Sequence, residues 1–282
     1  MQRRRASLQF MGGLWVFPGG AVDAADSSAA ALGRIPATDA GRCRALHAYE
    51  SGAELPGGRA LALRVAACRE TFEEAGLLLA RDAGGAHCAP DRLARLVEQR
   101  ATVLHRAESF AELLEAENLY LEIGALVYWS HWITPSIEPR RYDTRFFAIA
   151  TPPGQTVCED DGESSERGWF RPSDALEAYS RGEMLFAPPT QATLEELADR
   201  YAARGTVAAL LAGEADRPTP PVLPKLVPEA GAVRAVLPWD EAYAALPGDA
   251  VAEATRYPPE YTKRPSSYLI QMPGRVLPSA SR

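Results

Sequence analysis

The chain has 282 residues, 46% apolar and 24% charged, which is the mix of a soluble globular protein with room for one large domain or one domain plus an extension. Its formal charge of −7 argues against general nucleic-acid binding, which runs on a basic surface, but leaves room for a local basic pocket that takes a phosphorylated small molecule. No stretch approaches the run of about 18 apolar residues that a membrane span needs, and none follows the basic start Met1-Gln2-Arg3-Arg4-Arg5 as a secretion signal would require.

In chain order, Leu14-Trp15-Val16-Phe17 reads as a short strand ended by the turn cluster Pro18-Gly19-Gly20. Residues 24–58 show no stable period and read as an inserted loop with one short helix around Arg42 to Tyr49. Arg59 to Ala75 has no Gly or Pro and is rich in Ala, Leu, Arg and Glu, so a helix is predicted there. Gly76 stands where its C-terminus wants a left-handed residue. Two amphipathic helices are predicted at Asp91–Gln99 and Phe110–Asn118. Strands follow at Ala125–Trp129, running on to Thr134, and at Arg145–Ala150, with a very short one at Trp169-Phe170 before a helix capped near Ser173. Ser173–Ser180 and Thr190–Ala203 read as a further helix pair. Past Gly213 prolines are dense, with strand candidates at Val222–Val227 and Tyr268–Met272 in a tail expected to pack on the main body. Cys43, Cys68, Cys88 and Cys158 form no CxxC pair and read as four reduced, unconnected thiols, which with the missing targeting signals predicts a cytoplasmic protein. The order of strands and helices predicts an α/β or α+β layer fold.

The most informative segment is Arg69-Glu70-Thr71-Phe72-Glu73-Glu74-Ala75-Gly76-Leu77. On a helix Glu70, Glu73 and Glu74 crowd one face, while Leu61, Val65, Cys68 and Phe72 form an apolar stripe on another. Like charges four apart cost roughly 0.2–0.5 kcal/mol, and negative charge near a helix C-terminus opposes the macrodipole. Two unfavourable effects at one place suggest selection for something other than stability. A hard divalent cation would remove both. Taken alone, the face is equally compatible with a solvated acidic surface, and Pro18-Gly19-Gly20 with an ordinary turn. A Gly20 carbonyl would supply one more oxygen ligand.

Taken together, Gly20 and the segment from Arg69 to Leu77 resemble the Nudix box, in which Gly is followed by five residues, Glu, seven residues, and Arg-Glu-apolar-x-Glu-Glu-x-Gly-apolar. The second half matches everywhere except Thr71. The box sets Arg 14 positions after Gly; here the distance is 49, which implies 35 inserted residues and leaves the first acidic position on Asp26 or displaced to near Glu54, with no role assigned to either. An interrupted box is similar to the branch that includes a mammalian peroxisomal coenzyme A diphosphatase and many bacterial relatives. Gly13–Gly20, Trp132–Pro135 with Arg141–Phe147, and Glu163-Ser164-Ser165-Glu166 leading into Trp169 also resemble that branch. The coenzyme A type carries Arg-Ser and a second Arg upstream; here Arg4-Arg5 and Gln9 stand in those places. Only a few residues precede this element, which predicts a late chain start or a shortened edge strand.

The resemblance implies an α/β fold, a Nudix α/β/α sandwich with a mixed central sheet. It also implies a domain over residues 1–212, interrupted by the insertion at about 24–58 and a helical insertion at about 88–118, with a Pro-rich extension over 213–282 packed on it. It implies a metal-dependent pyrophosphohydrolase that uses Mg²⁺ or Mn²⁺ and cleaves a nucleoside diphosphate linked to another moiety, coenzyme A or an acyl-coenzyme A above others. In that reading Glu70, Glu73, Glu74 and the Gly20 carbonyl hold the metal, and Arg69 fixes a glutamate by a bidentate pair. Glu73 or Glu163 acts as the base, with Glu166 a further candidate, and Arg141 and Arg145, with Arg140 beside them, meet substrate phosphates. His131, between Trp129 and Trp132, reads as a packing residue. The partner is a small-molecule nucleotide, with no nucleic acid or membrane. The alternatives are a Nudix-fold nucleotide-binding or regulatory module without turnover, and an acidic helix used in a protein contact. The intact glutamate triad favours the enzyme over the module.

Overall fold

The computed structural model describes residues 1–7, 11–43, 55–158, 164–229, 232–251 and 255–270. In chain order the elements are β1 (Gln2–Arg4), β2 (Trp15–Val16), a 3-10 turn (Ala24–Ser27), α1 (Ala29–Leu32), α2 (Ala37–Arg42), α3 (Gly57–Ala75) and β3 (Ala80–Asp82). Next come α4 (Pro90–Glu98), α5 (Arg100–His105), α6 (Glu108–Ala116), β4 (Leu119–Leu121), β5 (Val127–Ile133), β6 (Asp143–Ala148) and β7 (Ser164–Arg167). The remainder holds α7 (Pro172–Ser180), α8 (Pro188–Arg204), α9 (Val207–Glu214), β8 (Pro221–Val222), β9 (Lys225–Glu229), β10 (Ala232–Val236) and β11 (Ser267–Ile270).

The central helix α3 forms where the sequence predicts it. Its predicted stripe of Leu61, Val65, Cys68 and Phe72 is fully buried in the largest core cluster. Phe72 stacks at 5.8 Å on Phe110 of α6. Gly76 closes the helix at φ +70°, a conformation glycine adopts without the steric cost of a Cβ. Around α3 lie an antiparallel sheet of order β2-β1-β7, a mixed sheet β6-β5-β8 in which β5 runs antiparallel to β6 and parallel to β8, and the hairpin β3-β4. A separate antiparallel sheet β11-β10-β9 lies towards the end of the chain. It packs through Leu237 and Tyr268 against Trp132 of β5, Ala192 of α8 and Val222 of β8. Glu214, 1% exposed, is held at 2.7 Å by Arg200 and 2.9 Å by Arg217, and Arg264 reaches Glu196 at 2.5 Å, so ion pairs join α8 to α9 and to the last described segment. No helix among the described residues is long and apolar enough to cross a membrane.

Several expectations need correction. The stretch after Gly20 is not irregular up to Arg42, and the short helix expected around Arg42 to Tyr49 falls almost wholly outside the described residues. The stretch folds as the 3-10 turn, α1 and α2, which ends at Arg42, while residues 44–54 lie outside the described set. These helices are four to six residues long, too short for a periodic pattern to register. Trp169-Phe170 is not a strand; the strand is the polar segment Ser164–Arg167 just before it, recruited by pairing to β1. Ser173 is not the cap of α7, because Pro172 at its first turn moves the boundary to Arg171. The opening strand, three residues long, is not an edge strand but the middle of its sheet. Met272 and Glu163 lie outside the described residues.

Candidate active site

The site is built where the end of α3 meets the loop after β2. Glu70 projects towards that loop, and a Cβ added to Gly20 would stand 2.5 Å from its carboxylate oxygens, so the missing side chain at Gly20 is what admits Glu70. Glu74 is drawn to the same loop. Its Oε2 accepts from the Gly19 N–H at 2.7 Å and from the Gln2 amide of β1 at 2.7 Å. The strand and the turn therefore converge on one carboxylate oxygen.

Arg69 organises the remaining acids. Its side chain is 5% exposed, and all five N–H donors are used. Nε and Nη2 form a bidentate pair with Asp26 at 2.8 and 3.0 Å. Nη1 donates to Glu70 and Glu73, both at 2.9 Å, and Nη2 also donates to the Ala21 carbonyl at 3.0 Å. The expected bidentate pair to a glutamate thus falls on Asp26 instead, and each glutamate receives a single bond. Asp26 sits in the 3-10 turn and also accepts from the Asp23 N–H at 2.8 Å, completing a capping box. Thr71, the departure from the box, bonds back to the Ala67 carbonyl at 2.7 Å and stays within its own helix.

Crowding has an electrostatic consequence. Burial pushes the Glu73 carboxyl up to about 7, Arg69 pulls against it, and the charges of Glu70 and Asp26 add to the rise. Burial disfavours the Arg69 cation, but the bonds and charges of Asp26, Glu70 and Glu73 outweigh it and hold the guanidinium more firmly protonated than usual.

These groups line a cleft of 360 Å³, together with Ala21–Asp23 and with Val103, Arg106 and Ala107 of the helical insertion. A larger recess of 620 Å³ lies elsewhere, between Arg42 and Arg81. There Arg81 and His87 both pair with Glu122, and Arg42 caps the Gly124 carbonyl, so its charges are matched within the fold. Among the described residues no three His, Cys, Asp or Glu side chains stand as a ready-made metal cage; the acids of α3 are held by protein donors instead. Their chemistry still suits a hard divalent cation: three carboxylates within about one helical turn, one with its proton affinity raised chiefly by burial.

The predicted phosphate-binding arginines are not drawn to the cleft wall. Arg141 lies in the loop before β6, donates to the Thr134 carbonyl at 3.0 Å and faces Asp249 at 3.5 Å. Arg145 on β6 turns its side chain inward, 5% exposed, onto Asp143 at 3.0 Å. His131 is buried and bonds to Asp143 at 2.5 Å. Glu166 is exposed and pairs with Arg3 at 2.7 Å. Sequence reasoning missed Gln2 entirely and left Asp26 without a role. The only signal for Asp26 was its place at the first acidic position of the interrupted box.

Comparison with known proteins agrees with this geometry. The family profile of the NUDT19 Nudix domain matches residues 1–197. The acyl-coenzyme A diphosphatase NUDT19 of Gallus gallus is 34% identical over 221 residues, covering 66% of this chain and 57% of that protein. Its human counterpart is 30% identical over 267 residues, covering 83% and 69%. The chain spans little more than half the length of the Gallus gallus and Xenopus laevis relatives. The crystal structure of a NUDIX hydrolase from Alicyclobacillus acidocaldarius superposes with a TM-score of 0.56 at 28% identity, over 77% of this chain and 88% of that one. The mixed sheet, the helix that carries the acids and the loop that meets it are those of an interrupted Nudix box, and the chain belongs to the Nudix family, in the group described by the NUDT19 Nudix domain.

Proposed function

We propose that this chain is a metal-dependent hydrolase of the diphosphate in a nucleoside diphosphate linked to another moiety, with coenzyme A or an acyl-coenzyme A as the favoured substrate. The observation that carries the reading is the convergence of Glu70 and Glu74 from one helical turn onto the Gly19-Gly20 loop, beside an open cleft. The substrate is taken from the Gallus gallus, Xenopus laevis and human relatives, each named acyl-coenzyme A diphosphatase. The net charge fits a small-molecule substrate, and we place the reaction in the cytoplasm.

In this reading Glu70, Glu73 and Glu74, with the Gly20 carbonyl, would hold Mg²⁺ or Mn²⁺, which when bound would offset the diphosphate charge and lower the pKa of the attacking water. Glu73, already facing the cleft, accepts that water's proton as the phosphorus–oxygen bond to the leaving phosphate breaks. Arg69 has no donor left for substrate and acts by fixing Glu70 and Glu73. Gln2 and the Gly19 N–H fix Glu74. Arg141 is retained as a candidate for a substrate phosphate and Glu163 as a second base, while Arg145 is held inward by Asp143.

The test is Glu74→Gln, with a panel of coenzyme A, acyl-coenzyme A, NADH and ADP-ribose and products identified by mass. The variant is expected to lose at least about a hundredfold in Mg²⁺- or Mn²⁺-dependent turnover, about 2.7 kcal/mol, while staying folded. Unchanged turnover would discard the ligand assignment. Failure to release adenosine 3′,5′-bisphosphate from coenzyme A would discard the substrate.

A further inference from the structure

An anionic substrate entering this cleft meets a difficulty. Asp23, Glu70, Glu73 and Glu74 line it, and its central cation, Arg69, has each of its five donors committed to the protein. Neutralising the acids does not by itself supply directional donors for phosphoryl oxygens. Among the described residues the one other arginine on the cleft wall is Arg106, which follows α5 in the helical insertion and lines the cleft together with the acids of α3. Unlike Arg69 it is not locked: its side chain is 59% exposed, and it pairs with Glu112, itself 60% exposed, at 2.5 Å. An ion pair in water is worth about 0–1 kcal/mol. A bidentate Arg–phosphate contact in a partly closed cleft is stronger, so the exchange of Glu112 for a phosphoryl group is downhill.

We infer that Arg106 is the substrate-reading arginine of the cleft, that it releases Glu112 to bind a phosphoryl group of the nucleotide, and that the helical insertion serves to deliver it. The assignment rests on the hydrolase reading for its substrate but on the cleft alone for its chemistry. The phosphoryl group is either the one at the 5′ position, where cleavage occurs, or a separate 3′ monoester.

Adenosine 3′,5′-bisphosphate and 5′-AMP, neither of which carries a diphosphate to cleave, distinguish the two sources by calorimetric titration in the presence of Mg²⁺. Arg106→Ala is expected to weaken the bisphosphate by about tenfold or more, the scale of one lost charge-assisted contact. If the 3′ monoester is the contact, 5′-AMP binding stays unchanged; if the 5′ phosphate is the contact, both ligands weaken alike. Glu112→Gln breaks the same ion pair but keeps the guanidinium, and binding is expected to hold or tighten. Arg106→Ala with wild-type affinity for both ligands would overturn the assignment, as would Glu112→Gln weakening them equally, since the pair rather than the guanidinium would then matter. With coenzyme A as substrate, Arg106→Ala should raise KM by about tenfold with kcat within about threefold. A wild-type chain that binds the bisphosphate through Arg106 yet hydrolyses nothing would remove the hydrolase reading and leave this one standing. A wild-type chain that hydrolyses coenzyme A, with Arg106→Ala matching it in KM, would do the reverse.

Discussion

Asp26→Ala is the most direct probe of how the site is held together. The Asp26 side chain is 2% exposed and that of Arg69 5%, so the pair is shielded from water and salt. Breaking a buried pair by removing one partner costs about 3–5 kcal/mol, because the other charge is left uncompensated. Here the penalty is partly relieved, since Glu70 and Glu73 remain at 2.9 Å and keep the guanidinium neutralised. Two of five donors lose their acceptor, and the Asp23 N–H loses its cap. The net expectation is a loss of about 2–3 kcal/mol, and roughly half that for Asp26→Asn, which keeps one acceptor oxygen. Urea denaturation followed by tryptophan fluorescence measures it, with an unchanged m-value confirming that the folded state alone is affected. A sign reversal sharpens the test. In an Arg69→Met background Asp26 has lost its cation and adds repulsion near Glu70 and Glu73 against the one bond it still accepts from the Asp23 N–H, so Asp26→Ala should there cost under about 0.5 kcal/mol or stabilise. Asp26→Ala within about 0.5 kcal/mol of wild type, or equally destabilising in both backgrounds, would refute the ion-pair reasoning.

Three further outcomes are expected. Gly20→Ala places a methyl group 2.5 Å from the Glu70 carboxylate on a backbone that tolerates it, so turnover should fall at least about tenfold with a stability loss under about 1.5 kcal/mol, read by kinetics and urea titration on one preparation. Phe72→Ala removes a fully buried ring stacked on Phe110 and should cost about 3–5 kcal/mol by the same titration; a loss below 1.5 would mean that the core closes over the gap. The third concerns pH. Burial lowers the His131 pKa below the ordinary histidine value of 6.5, outweighing the Asp143 bond, so neutral His131 stabilises the fold above about pH 6.5 and that stability is lost as pH falls from there through the lowered value. Burial raises Asp143, but the His131 bond and Arg145 outweigh it, so Asp143 stays anionic across this range and keeps accepting from the neutral ring. Glu73 works in the opposite sense: its raised pKa gives stability that is complete below 4.5 and lost as pH rises through about 7. The two overlap, so the measurement is the difference between wild type and His131→Gln. Wild type should lose stability relative to the variant as pH drops below 6.5, and a constant difference from pH 7.5 to 5 would refute it.

What the sequence reveals here follows physical range. The apolar stripe of α3, its glycine cap and the crowding of its glutamates are local matters of three to eleven residues, and helical spacing alone makes them readable. The pairing of Arg69 with Glu73 is local too, four residues apart. Asp26 is not: 43 positions separate it from Arg69, and nothing in the intervening composition distinguishes it from Glu54 as the displaced acid. Gln2 is less readable still, one polar residue in a basic start, placed against Glu74 only because β1 sits in the middle of its sheet. The strand at Ser164–Arg167 carries no apolar alternation and exists by pairing, which is why the aromatic Trp169-Phe170 beside it drew the reading away. Arg145 looked like a free cation at a strand end; the ladder that sets it opposite His131 turned it inward instead.

The position of β1 bears on the order in which this molecule can assemble. Its two ladder partners come from residues 15–16 and 164–167, one almost adjacent in the chain and the other more than half its length away. Closing so long a loop carries an entropic cost that only the completed sheet returns, and contacts of this kind form late. A nascent chain emerging from the ribosome would therefore wind α3 and bury Phe72 well before the amide of Gln2 is clamped beside Glu74. The clamp on Glu74 would be among the last features to mature, after the hydrophobic interior is already in place.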